Sequence, residues 1–391
     1  MTTACGTTAR VEEGLALRNR LCETFFAREA DRLAAACREM SERFLRGGRL
    51  LAIGRGPYAT DAQHVSVEFV HPVIVGKRAL PALDLSAGGT RWLSAILRPD
   101  DIVMGFGPPS GDREISAALD SAQALGAMTF ALPGRGSYSV GAATDQPFIH
   151  QEILEILYHT LWETVHVFFE RRELGHDVGN AGFLYPFLGR DRQSSSQAIA
   201  DTAASIRMKV ADDSALRDQV ARDDADVLCD VARAMRVRLN RGGKVILFGN
   251  GGSATDANDW AIDCVAPPPG YRPIPAISLS LEPANVTAIA NDVGSDLIFL
   301  RQLVAHARAV DVAVAFSTSG GSRNIVIALE EARKRGLLTV ALLGYDGGEI
   351  GRRGLADLTL IVRSDYIPRI QEIHASMYHI VRELLEGMAH A

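Results

Sequence analysis

The chain has 391 residues, of which 47% are hydrophobic and 23% charged, and its formal net charge is −6. This composition excludes collagen-like, disulfide-scaffold and wholly disordered chains, and the length favours two or three domains. The balance of 41 basic against 47 acidic residues gives no electrostatic footprint for nucleic acid or an anionic membrane.

The N-terminal segment MTTACGTTARVEEG has no apolar core, so it does not resemble a signal peptide. No apolar run reaches the roughly 18 residues that span a bilayer. The cysteines are odd in number and dispersed without a CxxC pair, which predicts reduced thiols; they are Cys5, Cys22, Cys37, Cys229 and Cys264. We therefore expect a cytoplasmic protein with no membrane or nucleic-acid partner.

A long segment of helical period, 9–46, opens the chain and is rich in Ala, Leu, Arg and Glu. Short apolar β-runs then alternate with helical segments: LLAIG, PALDL, DIVMGF and MTFAL. A second helical segment, 197–241, precedes the runs KVILFG, PAISL, DVAVAF, LTVALLG and LTLIV. Strands that alternate with helices predict an α/β fold whose parallel sheets are covered by helices on both faces.

The chain repeats itself. The corresponding pairs are LLAIGRGPYATD at 50–61 with VILFGNGGSATD at 245–256, DDIVMGFGPPSGDREI at 100–115 with VDVAVAFSTSGGSRNI at 310–325, and HQEILEILYH at 150–159 with IQEIHASMYH at 370–379. A constant order with growing offsets is typical of a tandem duplication with insertions. We predict two copies of one domain, 1–180 and 196–391, joined by a linker at 181–195.

Two Gly- and Ser-rich turns follow strands of the second copy, each just before a helix. They are Asn250-Gly251-Gly252-Ser253 and Ser317-Thr318-Ser319-Gly320-Gly321-Ser322. Free backbone N–H groups beside a helix N-terminus bind phosphate without a basic side chain. A serine-rich turn is also a common helix cap, but two such turns at the strand ends of one sheet favour a ligand site.

Side chains suited to metal binding or proton transfer recur at matched positions of the two copies. The first copy has His64 and Glu68 four residues apart, on one helix face, and the second has two aspartates there. Each residue alone also fits a surface pair or a buried structural histidine, but the recurrence favours function. The full set is His64, Glu68, Gln151 and His159, matched by Asp259, Asp263, Gln371 and His379.

The stretches GNGGSATD, AIANDVGSD, STSGGS, GYDGG and RIQEIH resemble the sugar isomerase (SIS) family, and within it the phosphoheptose isomerases. The resemblance implies two tandem SIS domains, each a parallel sheet flanked by helices with a long N-terminal helical segment. It also implies a sugar phosphate substrate and a homodimer with four SIS domains. The substrate-binding residues it implies are Asn250, Gly251, Gly252, Ser253, Asn291, Asp292, Ser317, Thr318, Ser319, Ser322 and Gln371.

Each copy departs from the family pattern in a different place. Where the family has His and Glu four apart, the second copy has Asp259 and Asp263, whereas the first keeps both. Conversely, the first copy has Gly107-Pro108-Pro109-Ser110 in place of the serine-rich turn, and proline lacks an N–H donor. Each half has kept what the other lost.

Helix geometry then points to a composite site. Gln151 and His159 are separated by about 12 Å along a helix axis, too far to share one ion easily. We predict a site between the domains whose metal residues are His64, Glu68, His159 and Gln371, with Gln151 as an alternative. A degenerate twin site would contain Asp259, Asp263 and His379.

The resemblance implies aldose–ketose isomerisation of sedoheptulose 7-phosphate to D-glycero-D-manno-heptose 7-phosphate through an enediol. Glu68 is the expected base, His159 the expected acid, and Zn²⁺ or another divalent metal the expected cofactor, with no nucleotide cofactor. Two alternatives stay open: a non-catalytic SIS-domain binding or regulatory protein, and an isomerase of another long-chain ketose phosphate.

Overall fold

The structure, a computed structural model, describes residues 2–73, 77–173 and 195–388. The helices are α1 Thr2–Leu45, α2 Ala59–Val70, α3 Gly89–Ile96, α4 Arg113–Ala124, α5 Pro147–Glu173, α6 Ser195–Asp223, α7 Ala225–Leu239, α8 Gly252–Val265, α9 Pro283–Val293, α10 Ile298–His306, α11 Arg323–Lys334, α12 Gly348–Arg353 and α13 Ile367–Gly387. The strands are β1 Leu50–Gly54, β2 Ala82–Asp84, β3 Ile102–Phe106, β4 Met128–Leu132, β5 Tyr138–Ser139, β6 Val245–Phe248, β7 Ala276–Ser278, β8 Val312–Ser317, β9 Leu338–Gly344 and β10 Leu358–Val362.

The strands form two five-stranded sheets, in the orders β2-β1-β3-β4-β5 and β10-β9-β8-β6-β7. Every pair in both sheets is parallel. The predicted tandem α/β fold with parallel sheets is therefore confirmed. The sequence reading missed β5, since a two-residue strand has no apolar run to reveal it.

The central strands of the second sheet are buried on both faces, and their alternating side chains feed two separate apolar clusters. Val245 and Leu247 point to one cluster, and Ile246 and Phe248 to the other. Helices covering both faces of a parallel sheet require such continuous apolar runs. This is why KVILFG and DVAVAF could be recognised as strands from their letters.

The described residues divide into two compact units. Asn19–Ser214 form one, here called the N-sheet unit; the residues up to Arg18 and those from Ala215 onward form the other, the C-sheet unit. Helices α1 and α6 are each divided between the units. The unit limits thus differ from the predicted domains 1–180 and 196–391, and the predicted linker lies outside the described residues apart from Ser195, which opens α6.

The division of α1 has a physical cause in its apolar positions. Val11 and Leu15 are 1% and 0% exposed and belong to the same core cluster as Leu228 and Ile380. Arg18 is also buried and pairs with Glu383 at 3.0 Å. The first turns of the chain therefore complete the core of the C-sheet unit.

An acidic clamp is repeated in both units. Lys244 donates to Asp311 from its backbone N at 3.0 Å and from its Nζ at 2.6 Å, and the backbone N of Arg308 donates to the same carboxylate at 2.8 Å. Arg49 and Asp101 make the matching contacts in the N-sheet unit, at 3.0 and 2.7 Å. Both clamps tie the start of the first strand to the loop before the third.

Replacing Asp311 by asparagine is expected to lower the free energy of unfolding by about 1–3 kcal/mol at neutral pH. Burial raises the pKa of Asp311, but hydrogen bonds from Lys244 and Arg308 outweigh it, so the pKa lies below its usual value. The stabilisation is therefore present above the unfolded pKa of about 3.9 and is lost as the pH falls through the folded pKa. Unfolding by denaturant, measured for wild type and Asp311→Asn at pH 7 and pH 3, gives the loss of stability and its dependence on pH.

The matched control for that melt is Asp230→Asn, since the Asp230 side chain is 53% exposed beside Arg233. A surface change of this kind stays within about 0.5 kcal/mol. Equal effects of the two variants at pH 7 would contradict the clamp's role.

Among the helices that the structure describes, none is long and apolar enough to cross a membrane. The cysteines whose side chains are described are buried thiols: Cys22, Cys37, Cys229 and Cys264.

Candidate active site

A buried group of metal-type ligands lies in the N-sheet unit, between α2 and α5. The Nε2 atoms of His64 and His159 are 3.3 Å apart, and Glu68 Oε1 lies 3.8 Å from His64 Nε2. Glu155, which the sequence reading missed, joins them: His64, Glu155 and His159 offer ligand atoms that all lie within 4.8 Å of one another. We call these four residues the first cluster; all are at most 4% exposed.

The surroundings of His64 favour its neutral form. Burial, and secondarily the neighbouring His159, hold the pKa of His64 well below its usual range. The Tyr158 hydroxyl lies 3.0 Å from His64 Nδ1 and orients the ring. Neutral imidazoles together with carboxylates are the donors that zinc and similar divalent metals bind in proteins. The residues present therefore fit the predicted metal.

Gln151 lies on the same helix as His159 and contacts α2. Its amide donates to Asp61 at 3.1 Å, two helical turns before His159. Its role as an alternative metal ligand stays a prediction.

A second cluster occupies the matching place in the C-sheet unit and consists of Asp259, Asp263 and His379. His379 Nε2 lies 3.2 Å from Asp263 Oδ2 and 3.6 Å from Asp259 Oδ2. Tyr378 donates its hydroxyl to Asp259 at 2.7 Å, as the counterpart of Tyr158. The structure thus brings the predicted twin residues together, while their role stays a prediction.

The second cluster differs from the first in charge. Burial, and after it the neighbouring Asp259, raise the pKa of Asp263 to about 7. Two carboxylates and one imidazole replace the two imidazoles and two carboxylates of the first cluster. Equivalent positions in the fold therefore present different ligand sets.

The serine turn, residues 317–322, joins the end of β8 to the start of α11. Ser317 Oγ accepts from the backbone N of Gly320 at 3.1 Å. A Cβ on Gly320, whose φ is +60°, would lie 2.1 Å from the carbonyl oxygen of Gly347, so only glycine fits there. Ser322 is the N-cap of α11, yet its hydroxyl makes no capping hydrogen bond within the described part of the chain. That hydroxyl and the helix N-terminus can serve an anion.

The asparagine turn, residues 250–253, lies beside the serine turn. The side chains of Asn250 and Asn324 exchange hydrogen bonds of 3.0 and 2.9 Å, which links the asparagine turn to the first turn of α11. Gly251 has φ +57° and precedes the first residue of α8. Two helix starts and their turns thus meet at one edge of the sheet, as expected for parallel strands.

In the N-sheet unit, the turn that corresponds to the serine turn ends in a carboxylate that caps the next helix. Asp112, at the position of Ser322, caps α4 by accepting from the backbone N of Glu114 and of Ile115 at 2.8 and 3.0 Å. Arg55, at the position of Asn250, pairs with Glu114 at 2.7 Å and with Asp112 at 3.4 Å. A carboxylate already occupies the helix start that an anionic ligand would need.

The remaining predicted substrate residues lie elsewhere in the C-sheet unit. Gln371 is 2% exposed on α13, and its Oε1 has no hydrogen-bond partner among the residues described. Asn291 and Asp292 are exposed on α9, where the Asn291 amide donates to Asp292 at 2.9 Å. Their part in binding a substrate remains a prediction.

Comparison with known proteins agrees with this architecture. The SIS domain family model matches residues 210–344. The phosphoheptose isomerase of Pelobacter propionicus is 44% identical over 173 residues, which are 44% of this chain and 90% of that protein. The phosphoheptose isomerase of Geobacter sp. strain M21 is 49% identical over 146 residues, 37% of this chain and 75% of that protein. The chain therefore belongs to the SIS-domain family of sugar-phosphate isomerases, and the predicted resemblance is confirmed.

A solved structure extends the likeness to both units. The C-terminal domain of glucosamine-fructose-6-phosphate aminotransferase from Francisella tularensis matches with a TM-score of 0.65, covering 96% of this chain and 94% of its own. The sequences are 8% identical, so this likeness concerns the fold alone.

Proposed function

We propose that the chain is an aldose–ketose isomerase that converts sedoheptulose 7-phosphate to D-glycero-D-manno-heptose 7-phosphate. One observation carries the proposal: a buried group of two imidazoles and two carboxylates in one repeat, and an uncapped serine turn in the other. The first supplies proton transfer, and the second supplies phosphate binding. We further propose that both serve one composite site and that the working form is a homodimer.

Isomerisation through an enediol needs a general base and a general acid beside a substrate that is shielded from water. Glu68 takes the proton from C1 of the ketose and returns it to C2 of the enediol. His159 gives its proton to the carbonyl oxygen at C2 and recovers one from the hydroxyl at C1. No net oxidant is needed, since the hydrogen lost at C1 is regained at C2.

A divalent metal, when bound by the first cluster, would stabilise negative charge on the substrate's oxygens. The protein's own part is to hold His64 neutral and to exclude water around Glu68. The burial of both side chains, 2% and 1% exposed, supports this part of the proposal.

Phosphate binding belongs to the serine turn rather than to the proline-containing turn of the first repeat. Ser317, Ser319 and Ser322 offer hydroxyls near the start of α11, whereas Asp112 fills the corresponding place with a negative charge. Repulsion between the Asp112 carboxylate and a phosphate would disfavour phosphate binding at the turn of the first repeat.

The direct test is incubation of the full chain with sedoheptulose 7-phosphate, with and without a chelator, followed by NMR of the sugar. We expect an aldose heptose phosphate to form. A folded, metal-loaded protein that yields no aldose would overturn the proposal and favour a non-catalytic binding role. Turnover of a different ketose phosphate alone would replace the substrate and keep the reaction type.

Replacing Ser322 by alanine is expected to raise KM for the sugar phosphate about tenfold and to change kcat little, since one hydrogen bond to an anion is worth about 1.5–3 kcal/mol. Steady-state kinetics measure both constants. The matched control is Ser110→Ala, because Ser110 lies in the turn that Asp112 closes. An unchanged KM for Ser322→Ala, or an equal rise for both variants, would contradict the assignment.

A further inference from the structure

An open cavity of about 410 Å³ lies beside the serine turn in the C-sheet unit. Ser319 of the serine turn lines one part of it. Tyr345, which follows β9, and Arg352 on α12 line another part. We call this space the turn cavity. It adjoins the residues to which phosphate binding is assigned above, and it contains a cation that this assignment does not use.

The backbone of α12 is held directly against the serine turn. The backbone N of Ile350 donates to the carbonyl oxygen of Gly320 at 2.9 Å. A Cβ on Gly348 would lie 2.2 Å from the carbonyl oxygen of Ser319, so only glycine fits at this close approach. Arg352 follows Gly348 by four residues, so the two lie on one face of α12. Arg352 is therefore on the helix face that meets the serine turn.

Arg352 differs from its neighbour Arg353 in its partners. Arg353 pairs with Glu349 at 2.6 Å and also with Glu330. Arg352 is exposed and makes no hydrogen bond or ion pair within the described part of the chain. The two carboxylates that line the turn cavity are both engaged, since Glu349 pairs with Arg353 and Asp346 accepts from the first backbone N–H of α12 at 2.9 Å. The guanidinium of Arg352 is thus available to an anion.

Tyr345 lines the same cavity with a strained backbone. Its φ is +52°, and no other described residue except glycine has a positive φ. This region is unfavourable for a bulky side chain, and strain of this kind clusters at sites that hold ligands. Burial, and after it the neighbouring Asp365, raise the pKa of the Tyr345 phenol. The hydroxyl therefore keeps its proton at neutral pH and can donate a hydrogen bond.

We propose that the phosphate group of the substrate lies between the serine turn and the turn cavity, where Arg352 and Tyr345 contact it. The serine hydroxyls and the start of α11 carry no full positive charge, whereas a guanidinium can donate to two phosphate oxygens at once. The N-sheet unit has no helix between β4 and β5, so its described residues offer no counterpart of Arg352. The identity of the sugar rests on the proposed function, but the binding of a phosphate group does not.

The test measures binding to the full chain rather than turnover. Inorganic phosphate is titrated and followed by ³¹P NMR, and sedoheptitol 7-phosphate, which has no carbonyl to isomerise, is titrated by calorimetry. We expect Arg352→Gln to weaken the binding of both ligands about tenfold, the usual effect of losing a hydrogen bond between charged groups. Arg352→Lys should weaken it less, because lysine keeps the charge but not the paired N–H donors. Tyr345→Phe, which removes only the hydroxyl, should weaken it about threefold.

The matched control is Arg353→Gln, which removes the same charge from the next position of the same helix. Because two glutamates engage Arg353, its substitution should leave both affinities within about twofold of the wild type. A salt series gives a second measure. Added NaCl should weaken phosphate binding more steeply in the wild type than in Arg352→Gln, because the variant has lost a charged contact that salt screens.

The outcomes separate this inference from the proposed function. Unchanged affinities in Arg352→Gln, or an equal loss in Arg353→Gln, overturn the inference and leave the function intact if the chain still converts its substrate. Weaker binding of inorganic phosphate with unchanged binding of sedoheptitol 7-phosphate also overturns it, since the anion would then lie apart from the substrate. A chain that binds both ligands through Arg352 but converts no sugar phosphate supports the inference and overturns the function.

Discussion

Replacing Glu68 by glutamine is expected to lower kcat for sedoheptulose 7-phosphate by about 10²–10⁴-fold, the usual contribution of a general base. The amide has the same shape as the carboxylate but cannot accept the C1 proton. KM should change little, because the serine turn, and not Glu68, is the proposed phosphate site. Steady-state kinetics, and exchange of the C1 proton with deuterated solvent, measure the loss.

The control for this experiment is Glu152→Gln, a buried glutamate on α5 outside the first cluster. Its kcat is expected to stay within a few-fold of the wild type once the fold is verified. Normal turnover by Glu68→Gln would remove the base assignment. Loss of deuterium exchange together with turnover would place the defect in proton abstraction rather than in a later step.

Replacing Leu15 by alanine is expected to destabilise the C-sheet unit by about 2–5 kcal/mol, the usual cost of emptying a fully buried leucine site. Leu15 is 0% exposed and lies in the core cluster of that unit, although it is far from residues 215–391 in sequence. Hydrogen–deuterium exchange should show lost protection in residues 215–388 before it does in residues 19–173.

The matched control for Leu15 is Leu33→Ala, which removes the same buried side chain from the same helix. Leu33 is also 0% exposed but lies in the N-sheet unit. Its substitution should reverse the pattern of lost protection. The same pattern in both variants would contradict the division of α1 between the units.

The strands and the duplication were predictable because buried parallel strands must be apolar throughout. KVILFG and DVAVAF became β6 and β8, and their counterparts LLAIG and DIVMGF became β1 and β3. The internal repeat then fixed the pairing of elements without any knowledge of the fold. Composition and periodicity were sufficient for this level of the structure.

The ligand sets were only partly predictable. The spacing of His64 and Glu68 predicts their pairing on one helix face. Glu155 has no counterpart in the other repeat, so comparison of the two repeats does not reveal it. Glu155 and His159 are themselves an i, i+4 pair, and that spacing could have revealed them. The role of Asp112 could not be predicted for a different reason. Its capping of α4 depends on backbone geometry, which the spacing of residues does not show.

The division of the long helices was not predictable, since an apolar stripe shows which face is buried but not against which partner. The buried face of α1 continues through Arg18 and Asn19, where the two units meet in the sequence. A domain boundary inside a helix leaves no Gly, Pro or change of composition to mark it. The predicted limits therefore followed the duplication and not the cores.

This division has a consequence for how the gene could change after its duplication. A recombination event that deletes the first repeat would leave the second sheet without part of its core, because Val11 and Leu15 lie in that core. Such losses would be removed by selection on folding alone.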